Sequence, residues 1–171
     1  MSVAAILPGP AGGDDTHLTR PPLVSGMFHE EVREQPGGSV EDLRREYAAW
    51  LADAVESAGV DAAAERTGLD RSTVAAVAAG EVGGLSLEEA GTLAALADGM
   101  PDGETVVEMA CDHVLLGMST GVLDVDTVAS NVDLDLTPKE IQQKLERRAP
   151  MSFEEFVAIR HFVASRQGEA F

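Results

Sequence analysis

Four copies of one short pattern mark where this chain begins its helices. In each copy a Ser or Thr stands three residues before an Asp or Glu, at the head of a segment whose apolar residues recur with helical spacing. The hydroxyl and the carboxylate can each accept a hydrogen bond from a backbone N–H group that the first helical turn leaves unpaired. The four pairs are Ser39/Asp42, Ser86/Glu89, Thr137/Glu140 and Ser152/Glu155.

The segments that follow these starts also have helical features. The first helix, about 39–58, places Leu43, Tyr47 and Leu51 on one face. Further helices are predicted at "DAAAERTG", "DRSTVAAVAAG" and "SLEEAGTLAALADG", each ending at its last glycine, and at about 103–119, 126–132, 137–148 and 152–166. No segment of useful length has the two-residue period of a β-strand, so the predicted fold is all-α.

The segment 103–119 is apolar on nearly every side. Such a helix is typical of the middle of a bundle or of an oligomer interface. We therefore predict a compact helical bundle around this central helix, and a homodimer through residues 103–119 is one hypothesis for its partners.

The segment 1–38 differs from the rest of the chain. It holds five of the eight prolines and shows no sustained periodicity, which predicts a disordered or loosely attached leader, with Met27 as an alternative translation start. The N-terminus lacks the basic region of a signal peptide, and no apolar run approaches the roughly 18 residues that a membrane span needs. The chain is predicted to be cytoplasmic, without membrane contact.

The charge of the chain is strongly acidic. Thirty acids stand against twelve bases, only Lys139 and Lys144 are lysines, and aromatic residues make up 4%. This composition resembles that of cytosolic proteins from extreme halophiles, in which carboxylates keep the surface hydrated. Concentrated salt screens the repulsion between these carboxylates, because the screening length falls to ~3 Å at 1 M ionic strength. Under such screening, net charge alone neither favours nor excludes nucleic-acid binding.

Two parts of the chain share an order of elements. One begins at Val60 and the other at Val125, and each is predicted as a short helix, a tight turn, a second helix, a loop and a capped third helix. Ser86 and Ser152 occupy corresponding places, at the start of the third helix in each part. A duplication is therefore a hypothesis, although few residues are identical.

The first of these parts resembles helix-turn-helix domains of the Cro/repressor type. The matching residues are Ala64, Gly68, Leu69, Ser72, Val74, Val77, Gly80 and Ser86-Leu87-Glu88. The second part departs from the motif, because Asp133 stands where Gly68 does and Arg148 stands where the motif has glycine. The resemblance implies two helix-turn-helix-like units. The first covers residues 39–100, and residues 101–171 hold the central helix and the second unit. From about Phe28 the chain is also similar to an uncharacterised haloarchaeal family of unknown function, which implies no activity.

The relative basicity of the chain lies in its last two helices. No Lys or Arg occurs from Ser72 to Pro138, whereas Lys139, Gln143 and Arg147 form an i, i+4, i+8 stripe. In a helix-turn-helix the second helix lies in the major groove, and Gln, Lys and Arg can contact bases or phosphates. The first function hypothesis is a regulator that contacts DNA through this stripe and Gln142.

The same charges have a structural alternative. Glu140 with Lys144, and Gln142 with Glu146, are i, i+4 pairs that stabilise a helix by ~0.2–0.5 kcal/mol each. On this view the chain is a protein-interaction module with a degenerate helix-turn-helix fold and no DNA binding. Its basic helix would then dock on an acidic partner.

Catalysis has little support in the sequence. Cys111, Asp112 and His113 are consecutive on one helix and point in different directions. The chain has no phosphate-binding loop, nucleophile elbow or metal-ligand spacing. We predict that the protein is not an enzyme and has no catalytic residue, metal or cofactor.

Overall fold

The computed structural model describes residues 38–169, so the predictions made for residues 1–37 lie outside the described residues. The described chain forms eight helices and no strand, which confirms the all-α prediction. The helices are α1 (Val40–Ala58), α2 (Val60–Thr67), α3 (Arg71–Ala78), α4 (Leu87–Ala94), α5 (Gly103–Thr120), α6 (Val125–Asn131), α7 (Pro138–Leu145) and α8 (Phe153–Glu169).

All four predicted capping boxes are present at helix N-termini. Ser39, Ser86 and Thr137 cap α1, α4 and α7, and each exchanges two hydrogen bonds with the acidic residue three positions later. Before α8, Ser152 N donates to Glu155 Oε1 at 2.9 Å and Glu155 N donates to Ser152 Oγ at 3.0 Å. The helix starts are therefore set by local side-chain chemistry.

Two helices end earlier than predicted. The helix α4 ends at Ala94 rather than at Gly99, because the next turns close with shorter i to i−3 bonds, from Leu96 N to Leu93 O and from Ala97 N to Ala94 O. The helix α7 ends at Leu145 rather than at Arg148. The short fourth helix brings the chain to α5 through a turn that no motif indicated.

The two predicted tight turns differ from each other. In the first part, α2 and α3 are joined by residues 68–70, and Gly68 adopts the left-handed conformation with φ 77°. In the second part, α6 and α7 are joined by residues 132–137, and Val132 is extended. The prediction of a tight turn in the second part is wrong, because Asp133 does not adopt the positive φ that Gly68 provides.

The core is shared between the two parts. Helix α8 contacts α1 and α4 as well as α5 and α6, and the Phe153 ring lies 5.8 Å from the Tyr47 ring of α1. The segment 103–119, predicted as the central helix, forms most of α5, which buries one face and exposes the other.

A short backbone pairing joins the starts of α4 and α8. Ser86 and Ser152 face each other in an antiparallel bridge, in which Leu87 N donates to Met151 O at 2.9 Å and Phe153 N donates to Leu85 O at 3.0 Å. The two serines that correspond in the suspected repeat are therefore spatial neighbours.

Candidate functional site

The helix α7 carries most of the predicted nucleic-acid contacts. It begins at Pro138 under the Thr137 capping box, and its buried residues Ile141 and Leu145 hold it against the core. The Thr137 backbone and hydroxyl hydrogen bonds lower the pKa of the Glu140 carboxyl. The position of this helix is thus fixed by its cap and its apolar face.

Three of the four predicted contact residues lie on α7 itself. Lys139 and Gln142 are exposed, whereas Gln143 is half-buried. Gln142 Nε2 donates to Glu146 Oε1 at 3.0 Å, which confirms that i, i+4 pair. Among the described residues, no carboxylate lies within ion-pair distance of Lys139.

Arg147, the fourth predicted residue, lies beyond the end of α7. It adopts a left-handed backbone with φ 63°, and the next residue, Arg148, donates its N–H to Gln143 O at 2.7 Å. This bond from i to i−5 closes a helix end in which glycine is the usual left-handed residue. The predicted i, i+4, i+8 stripe is therefore interrupted after Gln143, because Arg147 is not helical.

The Arg147 side chain faces α5 rather than open solvent. Its Nη1 lies 3.9 Å from Glu108 Oε2, and the side chain is 28% exposed. The corresponding left-handed residue in the first part is Gly80, where Glu81 N donates to Ala76 O. Arg147, and not Arg148, therefore occupies the position of the motif glycine.

The other two bases of this segment also contact carboxylates of the same chain. Lys144 Nζ lies 3.0 Å from Glu155 Oε1 and donates to Pro150 O at 2.8 Å, with its side chain 16% exposed. Arg148 pairs with Glu146. The expected pair of Lys144 with Glu140 is absent from the ion pairs of the described chain, because the lysine reaches α8 instead.

The helix α3 occupies in the first part the place that α7 occupies in the second. Its first residue, Arg71, pairs through Nε with Asp61 Oδ1 at 2.5 Å, and Ser72 follows as an exposed residue. The rest of α3 consists of threonine, alanine and valine, which offer no charge to a phosphate.

The helix α5 carries an exposed apolar surface, which the sequence indicated only in general terms, as a segment 103–119 typical of a bundle core or an oligomer interface. Met109 and Leu116 on α5 are 38% and 62% exposed, and Val122 after its end is 90% exposed. Val122 has φ 55°, and Leu123 N donates to Met118 O across it at 2.7 Å. We call Met109, Leu116 and Val122 the α5 apolar surface. The available signal was the apolar character of this segment, which did not separate its exposed apolar residues from its buried ones.

Residues with catalytic or metal-binding potential are not gathered in the described structure. Cys111 is buried, and burial raises the pKa of its thiol to about 11. His161 Nε2 lies 2.7 Å from Gly38 O, where it joins α8 to the start of α1. Over residues 38–169, no group of three or more His, Cys, Asp or Glu side chains could hold a metal ion.

Membrane-spanning potential in residues 38–169 is limited to one bent pair of helices. No single helix there is both long and apolar enough to cross a membrane. The helices α5 and α6 meet that criterion only together, and they are bent by 99°.

Comparison with known proteins identifies a family. The model of a family of unknown function (DUF5791) matches residues 43–166, which is most of the chain. No curated protein and no solved structure matches it.

Proposed function

The chain belongs to this family of unknown function, and we propose that it is a non-enzymatic protein-interaction module that associates with its partner through the α5 apolar surface. The helix-turn-helix-like arrangement would then be a scaffold without DNA binding. The single observation that carries this proposal is the exposure of Met109, Leu116 and Val122 on one short stretch of the chain. Exposed apolar residues that cluster in this way are typical of interaction sites.

The state of the basic segment supports the same proposal. Lys144, Arg147 and Arg148 contact carboxylates within the chain, and Lys144 is largely buried. A cation that already pairs with a carboxylate must give up that contact before it can bind a phosphate. The segment therefore has less free positive charge than its sequence suggested.

Nucleic-acid contact through α7 is the second candidate. Lys139 and Gln142 favour it, because both are exposed on α7 and Lys139 lies near its N-terminal end, the end that reaches base edges in a helix-turn-helix. Gln143 and Arg147 would complete the contact. In this candidate the protein is a regulator of transcription.

The acidic composition supports a further part of the proposal, namely that the protein works in concentrated salt in the cytoplasm. Thirty acids against twelve bases give a net charge of -18. If the composition is an adaptation to salt, thermal unfolding followed by circular dichroism will shift to higher temperature between about 0.1 M and about 2 M KCl. A midpoint that does not rise with KCl would contradict this part.

One experiment separates the two functions. The tagged chain is crosslinked in lysate of its source organism, and captured nucleic acid and captured proteins are identified in parallel. Wild type is compared with Leu116→Ser, Lys139→Ala and the control Val40→Ser, which removes an apolar residue of 39% exposure at the start of α1.

The interaction module predicts a protein that wild type, Lys139→Ala and Val40→Ser capture and Leu116→Ser does not. Nucleic acid that is captured by wild type and lost in Lys139→Ala would overturn the proposal and establish the second candidate. Capture that is equal in all four proteins would contradict both surfaces.

A further inference from the structure

The α5 apolar surface concentrates the exposed apolar residues of the described chain. Over residues 38–169, the exposed large apolar side chains are Val40, Met109, Leu116 and Val122, so three of the four belong to α5 and the turn after it. Met109 and Leu116 are seven positions apart, which is about two helical turns and places them on the same side of α5. A partner that lies along α5 can contact both.

Carboxylates border this surface. Glu104, Glu108 and Asp112 are exposed on α5, and Asp124 is exposed just after Val122. Arg147 contacts this helix, and its guanidinium already lies against Glu108. The surroundings of the apolar side chains are therefore negative.

This charge decides between occupants. A second copy of the chain would bring the same carboxylates to the interface, and like charges opposed across an interface disfavour binding. A cationic partner would pair with them, and its apolar side chains would cover Met109, Leu116 and Val122. Charge complementarity of this kind helps to select the partner through direct, partly buried contacts, which salt screens least.

The backbone at Val122 adds a second observation. A β-branched residue with positive φ is an outlier, because its side chain crowds the backbone in this conformation. Here that residue is also the most exposed of the large apolar side chains described, at 90%. Such outliers are retained where the surrounding structure or a function requires them.

We propose that the α5 apolar surface docks a cationic amphipathic helix of another protein, with lysine or arginine beside its apolar residues. This inference rests on the proposed function and specifies the chemistry of the partner. The apolar side chains supply the contact area, and the exposed carboxylate of Asp112 pairs with a cation of the partner.

The test uses three synthetic peptides of 18 residues, the length of α5. One is an amphipathic helix of leucine and lysine, one has glutamate in place of every lysine, and one keeps lysine but has serine in place of every leucine. Binding to the full chain is measured by fluorescence anisotropy, at the lowest salt that keeps the circular dichroism spectrum of the folded protein. Backbone amide NMR shifts locate each bound peptide.

The leucine–lysine peptide is expected to bind and to shift amides of α5 and of residues 121–124. Leu116→Ser is expected to weaken it about tenfold, because a leucine contact is removed, whereas Val40→Ser leaves the affinity unchanged. Asp112→Asn weakens it to a smaller extent. The glutamate peptide and the serine peptide are expected to bind at least tenfold more weakly.

Three outcomes would overturn the inference. In the first, the two leucine peptides bind equally, so charge does not select the partner. In the second, the leucine–lysine peptide binds but its affinity is the same in Leu116→Ser. In the third, the chain itself dimerises and Leu116→Ser abolishes the dimer, so a second copy is the occupant.

These failures differ from failure of the proposed function. If the lysate experiment captures a partner protein that requires Leu116, the proposed function stands. This holds even if the peptide series shows that the partner is not cationic. If the chain instead captures nucleic acid and Lys139→Ala abolishes that capture, the proposed function is wrong.

Discussion

Gly91 of α4 and Gly103 of α5 lie against each other where the two helices pack together. A Cβ atom at Gly91 would lie 3.0 Å from Gly103 O and 2.5 Å from Val107 Cγ2, and one at Gly103 would lie 2.8 Å from Thr92 Cα. The early end of α4 and the turn after it bring α5 against α4 at this point. The orientation of the α5 apolar surface therefore depends on two residues without side chains.

Gly91→Ala and Gly103→Ala are expected to destabilise the fold. Overpacking costs about 1–3 kcal/mol, which exceeds the ~0.5–1 kcal/mol that alanine gains over glycine within a helix. Gly103→Ala should cost more, because its closest contact is backbone, whereas Gly91 first meets the side chain of Val107. Urea unfolding measures both.

Gly84→Ala is the matched control, because no atom lies within 4 Å of its added Cβ. Its unfolding free energy should stay within about 0.5 kcal/mol of wild type. A Gly91→Ala variant more stable than wild type would contradict the close approach of α4 and α5.

Val122→Gly is expected to stabilise the isolated chain. A left-handed conformation costs an L-residue roughly 1–2 kcal/mol, and glycine avoids this cost. Part of the gain is lost, because glycine raises the conformational entropy of the unfolded chain. A net gain of up to about 1 kcal/mol in unfolding free energy should result. Val122→Asn, which tolerates this conformation better than valine, should stabilise to a lesser degree. Urea unfolding measures both variants, and a Val122→Gly chain less stable than wild type would contradict the prediction.

The fold should lose the contribution of the Asp124 cap in acid. Asp124 Oδ1 accepts a hydrogen bond from Thr127 N at 2.8 Å, and that bond lowers the pKa of the carboxyl below its usual 3.8. A lowered folded pKa gives stability that is fully present above the unfolded pKa and disappears as pH falls through the folded pKa.

Asp124→Asn keeps a capping side chain that does not titrate. Wild type should therefore lose stability relative to this variant as the pH falls from about 5 to about 2, and urea unfolding at both pH values measures this loss. Asp98→Asn, in the exposed turn after α4, controls for the loss of one negative charge. A difference that is the same at both pH values would contradict the prediction.

The starts of the helices could be predicted from sequence, and the end of α7 could not. A capping box is a local signal, since Thr137 and Glu140 are three positions apart. A left-handed helix end is usually signalled by glycine, as at Gly68 and Gly80, but at α7 that place is taken by Arg147. Nothing in the local sequence distinguishes that arginine from the next.

The candidate site could be predicted only in part for a related reason. Lys139 and Gln142 are exposed as their helical positions suggested, but the partners of the other bases depend on tertiary structure. Glu108 is remote from Arg147 in sequence and belongs to another helix, α5. Such pairs depend on how α5 and α8 pack against α7, and the exposed face of α5 depends on the same packing.

Lys144 of α7 forms an ion pair with Glu155 of α8. The Glu155 carboxylate accepts hydrogen bonds from both Lys144 Nζ and Ser152 N, and the lysine also binds Pro150 O. Both side chains are largely shielded from water, at 16% and 21% exposure. Lys144, predicted to stabilise α7 through an i, i+4 pair with Glu140, therefore has a structural role, but with a carboxylate of α8 as its partner.

Lys144→Ala is expected to lower the unfolding free energy by about 1–3 kcal/mol, because the Glu155 carboxylate loses its cation in a place that water reaches poorly. Arg148→Ala is the control in the same segment. Its exposed pair with Glu146 should contribute no more than about 1 kcal/mol. Urea unfolding of both variants, with far-UV circular dichroism to check helix content, measures the difference. If the two variants are equally stable, Lys144 is not a structural residue, and the positive charge of α7 becomes available again for binding.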